Sequence, residues 1–134
     1  MKKAMIYILI SFVVVILIAV IIFVSNPLLW SNSLIKGYLL TLTPRGMVME
    51  DVIKILEKHK KWEIYSISYD CGYSMQRGSP SAASKDEAGQ IGKKSIRVHR
   101  HGRVIFNGAI VSYWGFDEDG KLVDLDLRKD WDTP

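Results

Sequence analysis

The side chains whose types and spacing could do chemistry lie in the second half of the chain. His99 and His101 stand two apart, His59 sits among Lys58, Lys60 and Lys61, and Cys71 is the single cysteine. A strong zinc site brings two close ligand pairs together, and only His99-x-His101 has suitable spacing. Arg97, Arg100 and Arg103 surround that pair and repel a cation, so it reads as a solvated basic face and not as a metal site. Cys71 with His99 is the one thiol–imidazole pair available for nucleophilic catalysis, which would also need an orienting acid and an electropositive setting for the thiolate. Asp117, Asp119 and Gly120 resemble part of a calcium loop. With Gly120 at the sixth loop position, however, Gly115 falls where the first carboxylate belongs and Asp126 where a bidentate Glu belongs. A hairpin turn fits those residues better. Gly92-Lys93-Lys94-Ser95 resembles the end of a phosphate-binding loop, but Glu87 occupies the place of the earlier Gly and Lys94 that of the Ser or Thr. No catalytic residue, cofactor or metal is expected.

The rest of the chain divides sharply. Of the 134 residues, those before Asn26 carry nearly all the uninterrupted hydrophobicity and those after it nearly all the charge. From Ala4 to Val24 no residue is charged and most are Ile, Leu, Val or Phe, over a length that matches the ~20 residues needed to span a bilayer. A cleaved signal peptide would have a shorter apolar region, about 7 to 15 residues, ending in an Ala-x-Ala-like site, which Ile22-Phe23-Val24-Ser25-Asn26 does not provide. A lipid anchor would need a cysteine directly after the apolar stretch, and Cys71 is too far along. Residues 1–25 are therefore expected to be an uncleaved anchor holding the protein in the membrane through residues 4–24. Lys2 and Lys3 precede the span, so the positive-inside bias puts the N-terminus in the cytoplasm and the remainder outside. The net charge of +4 includes those two lysines. What is left is too weakly basic, and too mixed with acids, to indicate a nucleic-acid partner.

Residues 26–42 read as a juxtamembrane segment with a short helix, because Leu34, Ile35, Tyr38, Leu39 and Leu42 share one helical face. Trp30 falls where an interfacial aromatic anchor would sit. Residues 43–134 read as one small α+β domain, large enough for a single core. Val48, Val52, Ile55 and Leu56 mark the inner face of its helix, with Glu50 and Asp51 early and Lys58 late, as the helix dipole favours. Ile64, Tyr65, Ile67 and Tyr69 then mark a first strand by their β-branched and aromatic character. The stretch at about 71–95 is rich in Gly, Ser, Ala and Lys, and reads as a flexible loop that contributes little core and is cut first by proteases at Arg77, Lys85 or Lys93. Beyond it the sequence predicts a strand from Ser95, a turn at His101-Gly102 into Val104-Ile105-Phe106, and a second turn at Asn107-Gly108. A strand from Ala109 to Phe116 follows, then an Asp117–Gly120 turn, then a last strand whose Val123, Leu125 and Leu127 form one apolar face. The expected fold is α+β: a transmembrane helix, then one or two short helices packed on a three- to four-stranded antiparallel sheet with a polar outer face.

Adjacent Tyr113 and Trp114 must point to opposite faces of their strand, so one of them is either covered by a helix or loop or left as a surface patch. With the basic residues Arg97, His99, Arg100 and Arg103, this pair is the candidate partner surface.

Gly46-Met47-Val48-Met49-Glu50-Asp51-Val52 with Leu56, and Trp114-Gly115-Phe116-Asp117-Glu118-Asp119-Gly120-Lys121-Leu122-Val123, resemble the SmpA/OmlA (BamE-like) outer-membrane lipoprotein domain and the wider group with the β-lactamase-inhibitor-protein fold. The resemblance runs from about Thr43 to Leu127. Val48 stands where that family has a helix-capping Ser or Thr, Glu57-Lys58-His59 replace its Gly and Pro, and a spanning helix replaces its lipidated cysteine. The resemblance implies a non-enzymatic, protein-binding domain of a bacterial cell envelope whose partner is another envelope protein. Two other readings compete with it. One is a tethered enzyme using Cys71 and His99, and the other is a small-molecule or lipid sensor with an apolar pocket between helix and sheet.

Overall fold

The computed structural model describes residues 1–103 and 107–131. Three helices come first, α1 (Lys2–Ser25), α2 (Asn32–Leu42) and α3 (Met49–Lys58), with a 3-10 turn at Pro27–Leu29 between the first two. Six strands follow: β1 (Glu63–Ser68), β2 (Tyr73–Gln76), β3 (Ser79–Ala82), β4 (Lys94–Arg103), β5 (Asn107–Phe116) and β6 (Leu122–Trp131). Four of them form an antiparallel sheet in the order β1-β4-β5-β6, and β2 and β3 form a separate hairpin. The α+β class and the four-stranded antiparallel sheet agree with the sequence reading.

The 24 residues of α1 rise about 36 Å, more than the ~30 Å of a bilayer's hydrocarbon core. None of them is buried against the domain. The helix is long and apolar enough to cross a membrane. Its end is tied to the domain by two bonds, Asn26 Nδ2 donating to Arg103 O at 3.2 Å and Trp30 Nε1 donating to Phe23 O at 2.8 Å.

Helix α2 is capped by Ser31, whose hydroxyl accepts from the Leu34 amide, and buries Ile35 and Leu39. Helix α3 buries Met49, Val52 and Leu56. Val48 gives it no side-chain cap, which would leave its first amides without partners. The β5–β6 turn supplies the missing acceptor instead, since the Met49 amide donates to Gly120 O at 2.8 Å, while Gly46 and Leu122 bond to Leu122 and Met47 on either side. The turn that ends the sheet thus caps the helix that covers it. Both helices pack on one sheet face, where Ile96, Val98, Ile110, Trp114, Phe116 and Leu125 complete the core.

Five expectations fail, each for a local reason. β4 runs straight through His101-Gly102, and Asn107-Gly108 opens β5, with Arg103 pairing with Asn107. Val104-Ile105-Phe106 lie outside the described residues. The two glycines that resemble turn signals are close-approach positions, because a Cβ on Gly102 would lie 2.5 Å from Leu28 Cδ1 and one on Gly108 2.8 Å from the Trp131 ring. Val123 is exposed, while Leu122, Leu125 and Leu127 are buried. The pairing shifts between Gly115↔Asp124 and Phe116↔Leu122, so a bulge inserts Val123 and turns it outward. The 71–95 stretch is not an irregular loop, since it forms the β2–β3 hairpin and fully buries Tyr73. That ring joins Val111 and Tyr113 in a second core on the face expected to be polar.

Candidate functional site

The six expected surface residues divide among three places. Trp114 is fully buried beneath the helices, with its Nε1 donating to Thr43 Oγ1 at 3.0 Å. Tyr113 is buried on the opposite face against Tyr73, their ring centroids 5.9 Å apart. Neither is a free surface, because helix α2 and the β2–β3 hairpin cover the two sides of β5. Arg97 and His99 lie on the outer face, while Arg100 points to the helix side, where its guanidinium sits 5.1 Å from the centre of the Trp62 ring. Arg103 is exposed at the end of β4, beside the end of α1.

Among the described residues, β2–β3 covers β5 and β6 on the outer face and leaves most of β1 and β4 open. Tyr65 stands at the bulge in β1 and is 65% exposed. It stacks on His99 with centroids 4.5 Å apart and planes 9° apart, and the Arg97 guanidinium lies 4.6 Å from its ring centre. Among the described residues, Arg97 Nε and His99 Nε2 are shielded from solvent and have no hydrogen-bond partner. A stacked cation and two rings beside an open strand edge form a surface that can receive a carboxylate and an apolar group together.

Burial, followed by the charges of Arg97 and His101, holds the His99 imidazole below its ordinary pKa. The unfolded chain therefore takes up a proton there first as pH falls through about 6.5, while the folded protein resists until its own lower value. Stability contributed by neutral His99 is present above that window and is lost on acidification through it. Thermal unfolding of the wild type should fall more between about pH 7.5 and pH 5 than that of His99→Gln; parallel pH slopes would refute this.

The candidate enzyme pair is not brought together. Ser95 Oγ donates to Cys71 O at 3.0 Å, and from Ser95 to His99 the strand extends about 13 Å at ~3.3 Å per residue. Cys71 Sγ instead contacts Ser68 Oγ at 3.0 Å. Among the described residues no group of three His, Cys, Asp or Glu side chains is placed to hold a metal ion. Asp117 is engaged in the hairpin, accepting from the Lys121 amide through Oδ1 at 2.9 Å. Among the described residues the space between helices and sheet is filled by Leu39, Val52, Leu56 and Trp114.

Sequence reasoning missed a polar network at the β6 edge. Lys36 Nζ lies 3.0 Å from Asp126 Oδ1 and 3.4 Å from Asp124 Oδ1, and Arg45 reaches Asp124 Oδ1 at 3.0 Å. The Tyr73 hydroxyl donates to Asp126 Oδ2 at 2.7 Å; burial first, and that bond second, raise its pKa. Arg128 Nη1 adds a bond to Pro80 O at 2.6 Å. Asp124-x-Asp126 in an alternating strand was the available signal, but its cations come from 79 to 90 residues away. The network ties α2 and the hairpin to an edge strand and so guards that edge.

Comparison with protein-family models, curated proteins and solved structures finds no match to this chain.

Proposed function

We propose that the chain is a membrane-anchored, non-enzymatic protein-interaction module of a bacterial cell envelope. Helix α1 crosses the membrane with Lys2 and Lys3 on the cytoplasmic side, and the α+β domain lies outside. The observation that carries this reading is the Tyr65–Arg97–His99 stack on the open half of the sheet, next to the unpaired edge of β1. A partner segment adding to that edge would gain main-chain bonds from β1, and acidic side chains on it would meet Arg97. The resemblance to the SmpA/OmlA domain supports the same class of role. The separation of Cys71 from His99 counts against the enzyme reading.

A photoreactive amino acid placed at Tyr65 tests the proposal in intact cells. It should cross-link to one envelope protein, with the yield falling several-fold when Arg97→Glu is added. The same product at equal yield from position 123, exposed on another part of the molecule, would mean that the β1–β4 face is not the contact.

A further inference from the structure

The junction between α1 and the domain holds three surface clefts that share walls. A basic cleft of about 280 Å³ lies between the end of α3 and β4, walled by Tyr38, Lys58, Lys60, Lys61, Trp62 and Arg100. It continues across Lys61 and Arg100 into a second cleft, of about 440 Å³, which reaches Arg103 and has Ser25 and Asn26 as its other wall. Tyr38 also borders a third cleft of about 460 Å³, formed by Phe23, Val24, Trp30, Leu34 and Gly37 and almost wholly apolar.

No acidic side chain among the described residues lines any of the three. Among the described residues, none of Lys58, Lys60, Lys61, Arg100 and Arg103 is paired with a carboxylate. Clustered cations left unpaired repel one another and are relieved by an anion. Arg100 is half-buried with its guanidinium 5.1 Å from the centre of the Trp62 ring, and it presents a fork of donors of the kind that matches phosphate.

We propose that this junction binds an anionic glycerophospholipid. Its phosphate sits on Arg100, Lys61 and Arg103, and an acyl chain lies in the groove of Trp30, Leu34 and Gly37. The position supports this, because the apolar groove opens beside Phe23 and Val24 at the end of the spanning helix, where acyl chains are the surrounding solvent. The pairing of chemistries supports it as well. Free phosphate would use the basic cleft alone, whereas an amphiphile uses both sides of Tyr38. This site is separate from the Tyr65 surface; it rests on the reading of α1 as a membrane span and not on the Tyr65 contact, so the lipid titration and the Tyr65 cross-link can fail separately.

The full chain, extracted in mild detergent, is titrated with short-chain phosphatidylglycerol, with phosphatidylcholine of the same chain length and with inorganic phosphate, and bound lipid is counted by native mass spectrometry. Phosphatidylglycerol should be retained in preference to phosphatidylcholine, and phosphate at equal concentration should not displace it. Lys61→Gln and Arg103→Gln, both exposed, should each weaken retention about fivefold, the effect of one charge near a lipid surface. Gly37→Leu should weaken retention of both lipids by filling the groove, without disturbing the fold, since a Cβ there meets nothing within 4 Å. Lys85→Gln, on an exposed turn away from the junction, should change nothing. Equal retention of the two lipids, displacement by phosphate, or wild-type retention by the two Gln variants would each overturn the proposal.

Discussion

Trp114→Ala should cost about 3 to 5 kcal/mol, the largest loss expected from one substitution in this domain. Trp114 is fully buried at the centre of the sheet, with Ile96 and Leu125 as its cross-strand neighbours. Truncation would open a cavity bounded by a hydrogen-bonded sheet on one side and two helices on the other, neither of which can collapse freely. The indole also donates to Thr43 Oγ1, and that hydroxyl donates in turn to Leu39 O at 2.8 Å, at the end of α2. The ring is therefore both filler and strut between β5 and the α2–α3 connection. Trp114→Phe, which keeps much of the volume and loses the bond, should cost distinctly less than Trp114→Ala. Leu125→Ala and Leu56→Ala, on the facing strand and helix, should each cost about 2 to 5 kcal/mol. Val123→Ala should stay within about 0.5 kcal/mol, as for other exposed positions. Urea unfolding of the full chain in micelles reads all of these. Equal losses from Val123→Ala and Leu125→Ala would restore the unbulged strand and remove the reason given for the exposure of Val123.

That contrast also shows how far the sequence could be read. The presence of helix α3, helix α2, strand β1 and the β5–β6 hairpin was legible because periodicity encodes it, although α3 buries Met49 and leaves Val48 exposed, and the Asp117–Gly120 turn carries its own chemistry. The bulge at Val123 was not legible. An alternating run has the same pattern with or without an inserted residue, and only the partner strand reveals which of Leu122 and Val123 faces inward. Gly102 and Gly108 misled for a related reason. A glycine followed by an apolar run reads as a turn, yet here it makes room for a residue from elsewhere in the chain, Leu28 in one case and Trp131 in the other. Of the candidate surface, the basic character of β4 was visible, but its division between two faces followed from strand alternation that the supposed turn at His101-Gly102 obscured. Tyr113 was lost to the surface because its cover comes from a segment whose composition argued against packing.

That segment carries the second large effect. Gly115→Ala should release the β2–β3 hairpin from the sheet and make Arg77 and Lys85 far more sensitive to trypsin than in the wild type. A Cβ on Gly115 would lie 2.7 Å from Ile91 O and 2.9 Å from the Tyr73 ring. Neither neighbour can yield alone. The Tyr73 amide donates to Ile91 O at 3.1 Å and the Ile91 amide to Tyr73 O at 2.6 Å, so ring and carbonyl belong to one bonded unit. Strand β5 is held along both sides by β4 and β6, whereas the hairpin rests on the buried Tyr73 ring, its bond to Asp126 and the bond from Arg128. The strain, about 1 to 3 kcal/mol for overpacking of this kind, should therefore move the hairpin and not the sheet. Tyr73→Phe, which removes only the bond to Asp126, should raise the cleavage rate less. The helix-side core lies on the other face of the sheet, so the urea midpoint of Gly115→Ala should fall less than that of Trp114→Ala. Equally slow cleavage at Arg77 and Lys85 in Gly115→Ala would mean that the contact of Gly115 with Tyr73 does not hold the hairpin, whereas equally rapid cleavage in both proteins would mean that the 71–95 stretch behaves as the open loop its composition suggests.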